Sequence, residues 1–139
     1  SDAKGKAAVA GLKRAAGHDR VYYELVDFCS LASVRSGAAA VLERIARSGL
    51  ERIDFLVLNA GVGKGKPEDV WMTNQIGPFL FTSLLAPLLQ KTAITFQGVR
   101  VVAVSSGAHK RASICYDSPF SPSSGSPLAG AYGQSKLAQ

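Results

Sequence analysis

Phe55-Leu56-Val57-Leu58-Asn59-Ala60-Gly61 is the stretch from which the fold can be read. Its four consecutive apolar residues fit a short strand buried on both faces, as in a parallel sheet. A polar side chain and a glycine then mark the turn out of that strand. Towards the C-terminus, a helix is expected from about Glu68 to Gln90, with a strand over Val99–Val104 ending in Ser105-Ser106. Towards the N-terminus, residues 3–16 place Val9, Leu12 and Ala16 on one helical face, and Gly17 stops the helix. Val21–Val26 is rich in β-branched and aromatic residues and predicts a strand. Ser30 caps a second helix, in which Leu31, Val34, Ala38, Val41, Leu42 and Ile45 keep helical spacing until Gly49. Asp117–Pro127 reads as loop, and a last helix starts near Leu128. The alternation predicts a single α/β domain over residues 1–139, a parallel sheet sandwiched by helices.

Composition narrows the function classes. With 139 residues, 47% apolar and 19% charged, the chain can build one core. The longest apolar stretch, Phe79–Leu89, is broken by Thr82, Ser83 and Pro87 and reads as a buried helix, so no membrane segment is expected. The first residues, Ser1–Lys6, carry no apolar leader and no starting Met, as expected of a fragment or processed product with a cytoplasmic location. A net charge of +6 could suggest nucleic acid, but no basic cluster is tighter than Lys13-Arg14 or Lys110-Arg111. Scattered cations of this kind are a solvated surface, and nucleic acid is not an expected partner. Cys29 and Cys115 lack CxxC spacing and adjacent histidines, so no metal site is expected.

In a parallel α/β sheet, ligands bind outside the carboxyl ends of the strands. Asp27, Asn59, Ser105 and Ser106 stand at those ends. Further on, Tyr132-Gly133-Gln134-Ser135-Lys136 spaces a phenol and an ammonium four residues apart, one above the other on a helix. A free tyrosine, with a pKa of about 10, is a poor acid or base near neutrality. A neighbouring cation favours the phenolate, which suits proton transfer to or from an alcohol or carbonyl oxygen. Alone, such a pair is also compatible with a solvated helix face.

The order of the motifs is more specific. Leu56–Gly61, then Trp71-Met72-Thr73-Asn74-Gln75-Ile76-Gly77-Pro78-Phe79, then Val102–Gly107, then Tyr132–Lys136 closely resembles the short-chain dehydrogenase/reductase family. Its retinol-dehydrogenase-like and WW-domain-oxidoreductase-like members are the nearest in pattern. The resemblance implies a Rossmann-like, doubly wound parallel sheet with helices on both faces. It implies Tyr132 as general acid/base that also borders the cofactor, and Lys136 as the residue that lowers the tyrosine pKa and holds the nicotinamide ribose. Ser106 would hydrogen-bond the substrate oxygen. Asn74 would sit at a helix irregularity whose freed backbone holds a water leading to the lysine, and Gly77-Pro78 supports a kink there. Asn59, Ala60 and Gly61 would line the cofactor site, with Asp27, followed by Phe28, at the adenine. The implied cofactor is NADP, with NAD as second choice. The implied partner is a small-molecule substrate, a hydrophobic alcohol, aldehyde or ketone. Gly61–Lys66 fails the GxGxxG pattern because Lys66 stands at the third glycine, and it reads as a variable loop beside the cofactor.

The resemblance covers the family's middle portion. Residues 1–20 contain no counterpart of the opening strand, the TGxxxGxG turn or the second strand, and Gln139 lies three residues past Lys136. In the strand order 3-2-1-4-5-6, the strand at Val21–Asp27 is left without a neighbour. A chain truncated in this way is expected to fold poorly and turn over little by itself. The alternative reading is therefore a catalytically inactive piece of such an enzyme, from an incomplete gene, a pseudogene or a truncated isoform.

Overall fold

The computed structural model describes residues 1–117, 120 and 130–139. The expected loop over 117–127 and the helix start at Leu128 fall almost wholly outside these residues.

Glycine and hydroxyl signals set the helix ends as expected. Helix α1 (Asp2–Ala16) stops at Gly17, which turns left-handed at φ 68°. Helix α2 (Leu31–Ser48) begins where the Ser30 side chain accepts a hydrogen bond from the Ser33 N–H, and it stops at Gly49 with φ 71°. Strand β1 (Phe55–Leu58) is followed by α3 (Pro67–Trp71), a π-helical turn (Met72–Ile76) and α4 (Gly77–Phe96). Strand β2 (Arg100–Ala103), a 3-10 turn (Gly107–Arg111) and α5 (Ala131–Leu137) complete the order. β1 and β2 pair in parallel, Phe55 opposite Arg100 through Leu58 opposite Ala103. The chain is thus α/β with a parallel sheet, part of a Rossmann-like domain.

The core lies between α2 and α4. Val34 and Ala38 meet Phe81, Leu85 and Leu89, and Val26, Phe28 and Leu56 pack onto this cluster. Phe28 sets its ring edge-on to Phe81 at 5.7 Å. Buried Thr92 joins α4 to the approach of β1, donating to the Leu88 carbonyl at 2.8 Å and accepting from the Ile53 N–H at 3.1 Å.

Two expectations need correction. Val21–Asp27 forms no strand: the sheet contains only β1 and β2 among the described residues. Strand propensity alone cannot make a ladder without an adjacent strand. Side chains hold the segment instead. Val26 fills the space left by Gly37, Glu24 pairs with Arg44, and the Arg44 guanidinium lies 5.0 Å over the Tyr22 ring. The Tyr23 hydroxyl donates to Asp2 of α1. Nor is β1 buried on both faces: Phe55 and Val57 are 66% and 57% exposed, while Leu56 faces the core. A two-stranded sheet backed by α4 covers one side of the strand only.

Residues 67–96 form one helical run that is long and apolar enough, by length and composition, to cross a bilayer. The expected buried helix is present on one edge only. Phe81, Leu85 and Leu89 pack against α2, whereas Phe79 and Ile94 are exposed.

Gly77 fixes how this run meets the chain at Phe28. A Cβ at this position would stand 2.4 Å from the Phe28 carbonyl oxygen and 2.9 Å from that of Met72, both backbone atoms that a rotamer change cannot move. Gly77→Ala is therefore expected to destabilise the fold by about 1–3 kcal/mol, although alanine favours helix. Urea unfolding of the two proteins checks this, and an unchanged midpoint would show that the backbone yields freely.

Candidate active site

The π-turn is where the site begins. Its helical register brings Asn74 inward, fully buried. The Asn74 Oδ1 accepts from the Val62 N–H at 2.8 Å, and Nδ2 donates to the Val62 carbonyl and to Ser135 Oγ, both at 3.0 Å. One side chain thus ties the loop after β1 to α5. Gly61 stands in the same place: a Cβ there would lie 3.1 Å from Asn74 Oδ1 and 3.5 Å from Lys136 Nζ. Only glycine leaves the backbone this close to both groups without crowding them.

Helix α5 supplies Tyr132 and Lys136. Lys136 is 6% exposed, and its ammonium donates to the Val104 carbonyl at 2.8 Å and to Gln139 Oε1 at 2.9 Å. Ser105 Oγ donates to the Lys136 carbonyl at 2.7 Å, which fastens α5 to the chain just past β2. Ser106 caps the 3-10 turn, its Oγ accepting from the Ala108 N–H at 3.3 Å. That bond uses one lone pair and leaves the hydroxyl proton free to donate. Ser106 and Tyr132 line one open cavity of about 380 Å³, with Lys110 and Arg111 at its edge.

Burial pushes the Lys136 ammonium below the ordinary lysine value of 10.5, and the Tyr132 phenol opposes that shift. Between the lowered value and 10.5, the unfolded chain binds more protons at this lysine than the folded one. Stability contributed here therefore rises with pH across that window. Urea unfolding from neutral pH to pH 10 is expected to show Lys136→Met losing this rise relative to the wild type. Parallel pH curves for the two proteins would show that burial does not disfavour the charge.

No protein-family model matches the chain. Curated relatives do. Dehydrogenase/reductase SDR family member 13 of Bos taurus is 40% identical over 113 residues, covering 78% of this chain and 28% of the relative. Polyprenol dehydrogenase of Mus musculus is 35% identical over 142 aligned positions, covering 97% of this chain and 41% of the relative. A short-chain dehydrogenase/reductase of Armillaria gallica is 32% identical over 125 positions, covering 84% and 38%.

The chain belongs to the short-chain dehydrogenase/reductase family. It spans well under half the length of these relatives.

Within this short-chain dehydrogenase/reductase chain, the expected residues fall into three groups. The Gly61 backbone passes close to the Asn74 and Lys136 side chains, and Ser106 and Tyr132 line one cavity. Asn59 and Ala60 are exposed on the loop that leads from β1 to Gly61. Asp27 is exposed and shapes a turn, its Oδ1 accepting from the Cys29 N–H at 2.9 Å while its own N–H donates to Ser33 Oγ. Phe28 turns its ring into the core, and its carbonyl meets Gly77. Sequence reasoning placed Ser105 at a strand's carboxyl end and missed Val62, Ser135 and Gln139. Ser135, directly before Lys136 in the motif, was the one with a local signal; the others depend on contacts between distant segments.

Proposed function

We propose that the protein carrying this chain is a nicotinamide-dependent oxidoreductase that interconverts an alcohol and its carbonyl compound, with Tyr132 as general acid/base. The observation that carries this reading is that Ser106 and Tyr132 line one cavity while Lys136, one turn from Tyr132, reaches Gly61 and the Asn74 network. When bound, the nicotinamide carries the hydride. The residues present fit its ribose end: the Asn59–Gly61 loop lies open at the carboxyl end of β1, and the Lys136 ammonium stands beside Gly61.

The chain's own residues account for the proton and the oxygen. Tyr132 gives its phenolic proton to a carbonyl oxygen during reduction and takes it back during oxidation. Ser106 donates a hydrogen bond to the same oxygen and stabilises the charge developing on it. Lys136 places a cation one helical turn from the phenol and would hydrogen-bond the ribose. Asn74 holds Val62 and Ser135, and so keeps the cofactor loop against α5. Asp27 would receive the adenine, with Phe28 setting the position of that turn from the core.

NADP is the proposed cofactor, with NAD as the second choice, and the proposed substrates are hydrophobic alcohols, aldehydes or ketones. The polyprenol dehydrogenase likeness supports a long apolar alcohol within that class. Cell fractionation tests the proposed cytoplasmic location, and a protein that pellets with membranes would place the exposed Phe79 and Ile94 side of the 67–96 helical run against lipid. The function is tested by following NADPH and NADH absorbance with a panel of apolar aldehydes and ketones. Oxidation of either nucleotide with carbonyl reduction supports the reading. Nucleotide binding with no turnover on the whole panel would favour the inactive form of the same fold.

A further inference from the structure

The 3-10 turn is held by its first residues and gives its last two to solvent. Ser106 Oγ accepts from the Ala108 N–H at 3.3 Å, and the Ser106 carbonyl accepts from the His109 N–H at 3.1 Å. Ala108 is buried, and the turn as a whole packs against α5. Lys110 and Arg111, at the free end, are exposed, and both line the cavity that Ser106 and Tyr132 share. A 3-10 rise of about 2 Å per residue sets the two cations roughly 8–10 Å along the chain from Ser106.

These cations lack a countercharge. In the other adjacent basic pair, Lys13-Arg14, the lysine meets Asp19 at 3.5 Å. Neither Lys110 nor Arg111 has an ion pair among the described residues. The reason is already present in the sequence. Residues 70–139 contain a single acid, Asp117, against Lys91, Arg100, Lys110, Arg111 and Lys136. Uncompensated charge at the edge of a cleft focuses its field into the cleft and raises the local concentration of anions.

We propose that Lys110 and Arg111 anchor an acid group on the substrate, so that the protein acts on apolar oxo acids and the matching hydroxy acids in preference to neutral carbonyl compounds. This rests on the oxidoreductase reading above and narrows its substrate class. The guanidinium offers a planar fork to a carboxylate, and the ammonium adds a mobile point charge beside it. A cavity of about 380 Å³ is of small-molecule size, with the Tyr132 ring and Ala108 in its wall to meet an apolar stem. The carbonyl end lies at Ser106 and Tyr132. In reduction its carbon receives the hydride and its oxygen the Tyr132 proton, while the carboxylate leaves the reaction as it entered.

The test compares ω-oxodecanoate with its methyl ester on the full-length protein carrying this chain, with NADPH. Lys110→Gln with Arg111→Gln is expected to lower the acid-to-ester ratio of kcat/KM by about tenfold, chiefly through KM for the acid. Decanoate, which keeps the acid and the stem but has no reacting carbonyl, should bind about tenfold more weakly to this variant by calorimetry. Lys110→Glu with Arg111→Glu should reverse the preference. In the wild type the preference should fade as ionic strength rises from about 0.01 M to about 1 M, since the Debye length falls from about 30 Å to about 3 Å. If circular dichroism shows that the variants unfold, this salt dependence decides. An acid-to-ester ratio equal in wild type and variant, or indifferent to salt, would overturn the anchor. So would an unchanged ratio with lost binding to phosphatidylglycerol vesicles, which would assign the pair to lipid headgroups, or with lost NADPH affinity, which would assign it to the nucleotide phosphates. The two readings fail separately. Decanoate binding that depends on the pair, without turnover of any carbonyl, keeps the anchor and removes the catalytic reading; turnover of acid and ester alike does the reverse.

Discussion

Tyr132→Phe is expected to lower turnover by about 10²–10⁴-fold, the range that a positioned general acid contributes. The substitution removes one oxygen and keeps the ring that lines the cavity with Ser106. The Lys136 ammonium keeps both of its acceptors, the Val104 carbonyl and Gln139, because neither involves the phenol. Cofactor affinity, read by quenching of Trp71 or by calorimetry, should accordingly change by less than about threefold, since no bond to the ribose is lost. Ser106→Ala makes the companion case, with a loss of about 10²–10³-fold for one oxyanion donor. Wild-type turnover in Tyr132→Phe would remove the tyrosine from the mechanism. A loss of cofactor binding equal to the loss of rate would make it a binding residue.

Leu85→Ala is expected to cost about 2–5 kcal/mol of stability, the largest effect on the fold of any substitution considered. Leu85 is 1% exposed and sits where α4 meets Val34 and Ala38 of α2. Removing it leaves a cavity between two helices. Denaturant unfolding measures the loss, and Ile94→Ala is the control, since Ile94 is 82% exposed and should change the midpoint little. A loss below about 1 kcal/mol for Leu85→Ala would mean that the α2–α4 interface can close over the gap.

The helix ends and the two paired strands were legible because local chemistry decides them. Gly17 and Gly49 turn left-handed where the reading placed the stops, and Ser30 caps where a hydroxyl was expected to cap. Phe55–Leu58 and the Val99–Val104 run became β1 and β2, each within a residue or two of its expected bounds. The segment at Val21–Asp27 failed as a strand for the opposite reason: pairing needs a neighbour, which propensity does not provide. At the proposed site, Tyr132, Lys136, Ser106 and Asn74 were proposed from motif order. The Asn74 bridge to Val62 and Ser135 spans 12 and 61 residues of sequence, and no periodicity reports such contacts.

The sequence by itself determined an α/β chain of this family, with its proposed site residues at the ends of two strands and on the last helix. Tertiary structure alone decided which side of each element matters. Residues 77–96 carry leucine at positions 80, 84, 85, 88 and 89, and an all-round apolar helix has no preferred face in its own sequence. Packing against Val34 and Ala38 buried Leu85 and Leu89. Likewise, Gln139 is an ordinary polar residue in sequence, and only docking brought its amide to the Lys136 ammonium and the Asn74 carbonyl. Spacing along a chain is a local quantity; which donor meets which distant acceptor is set when helices and loops dock.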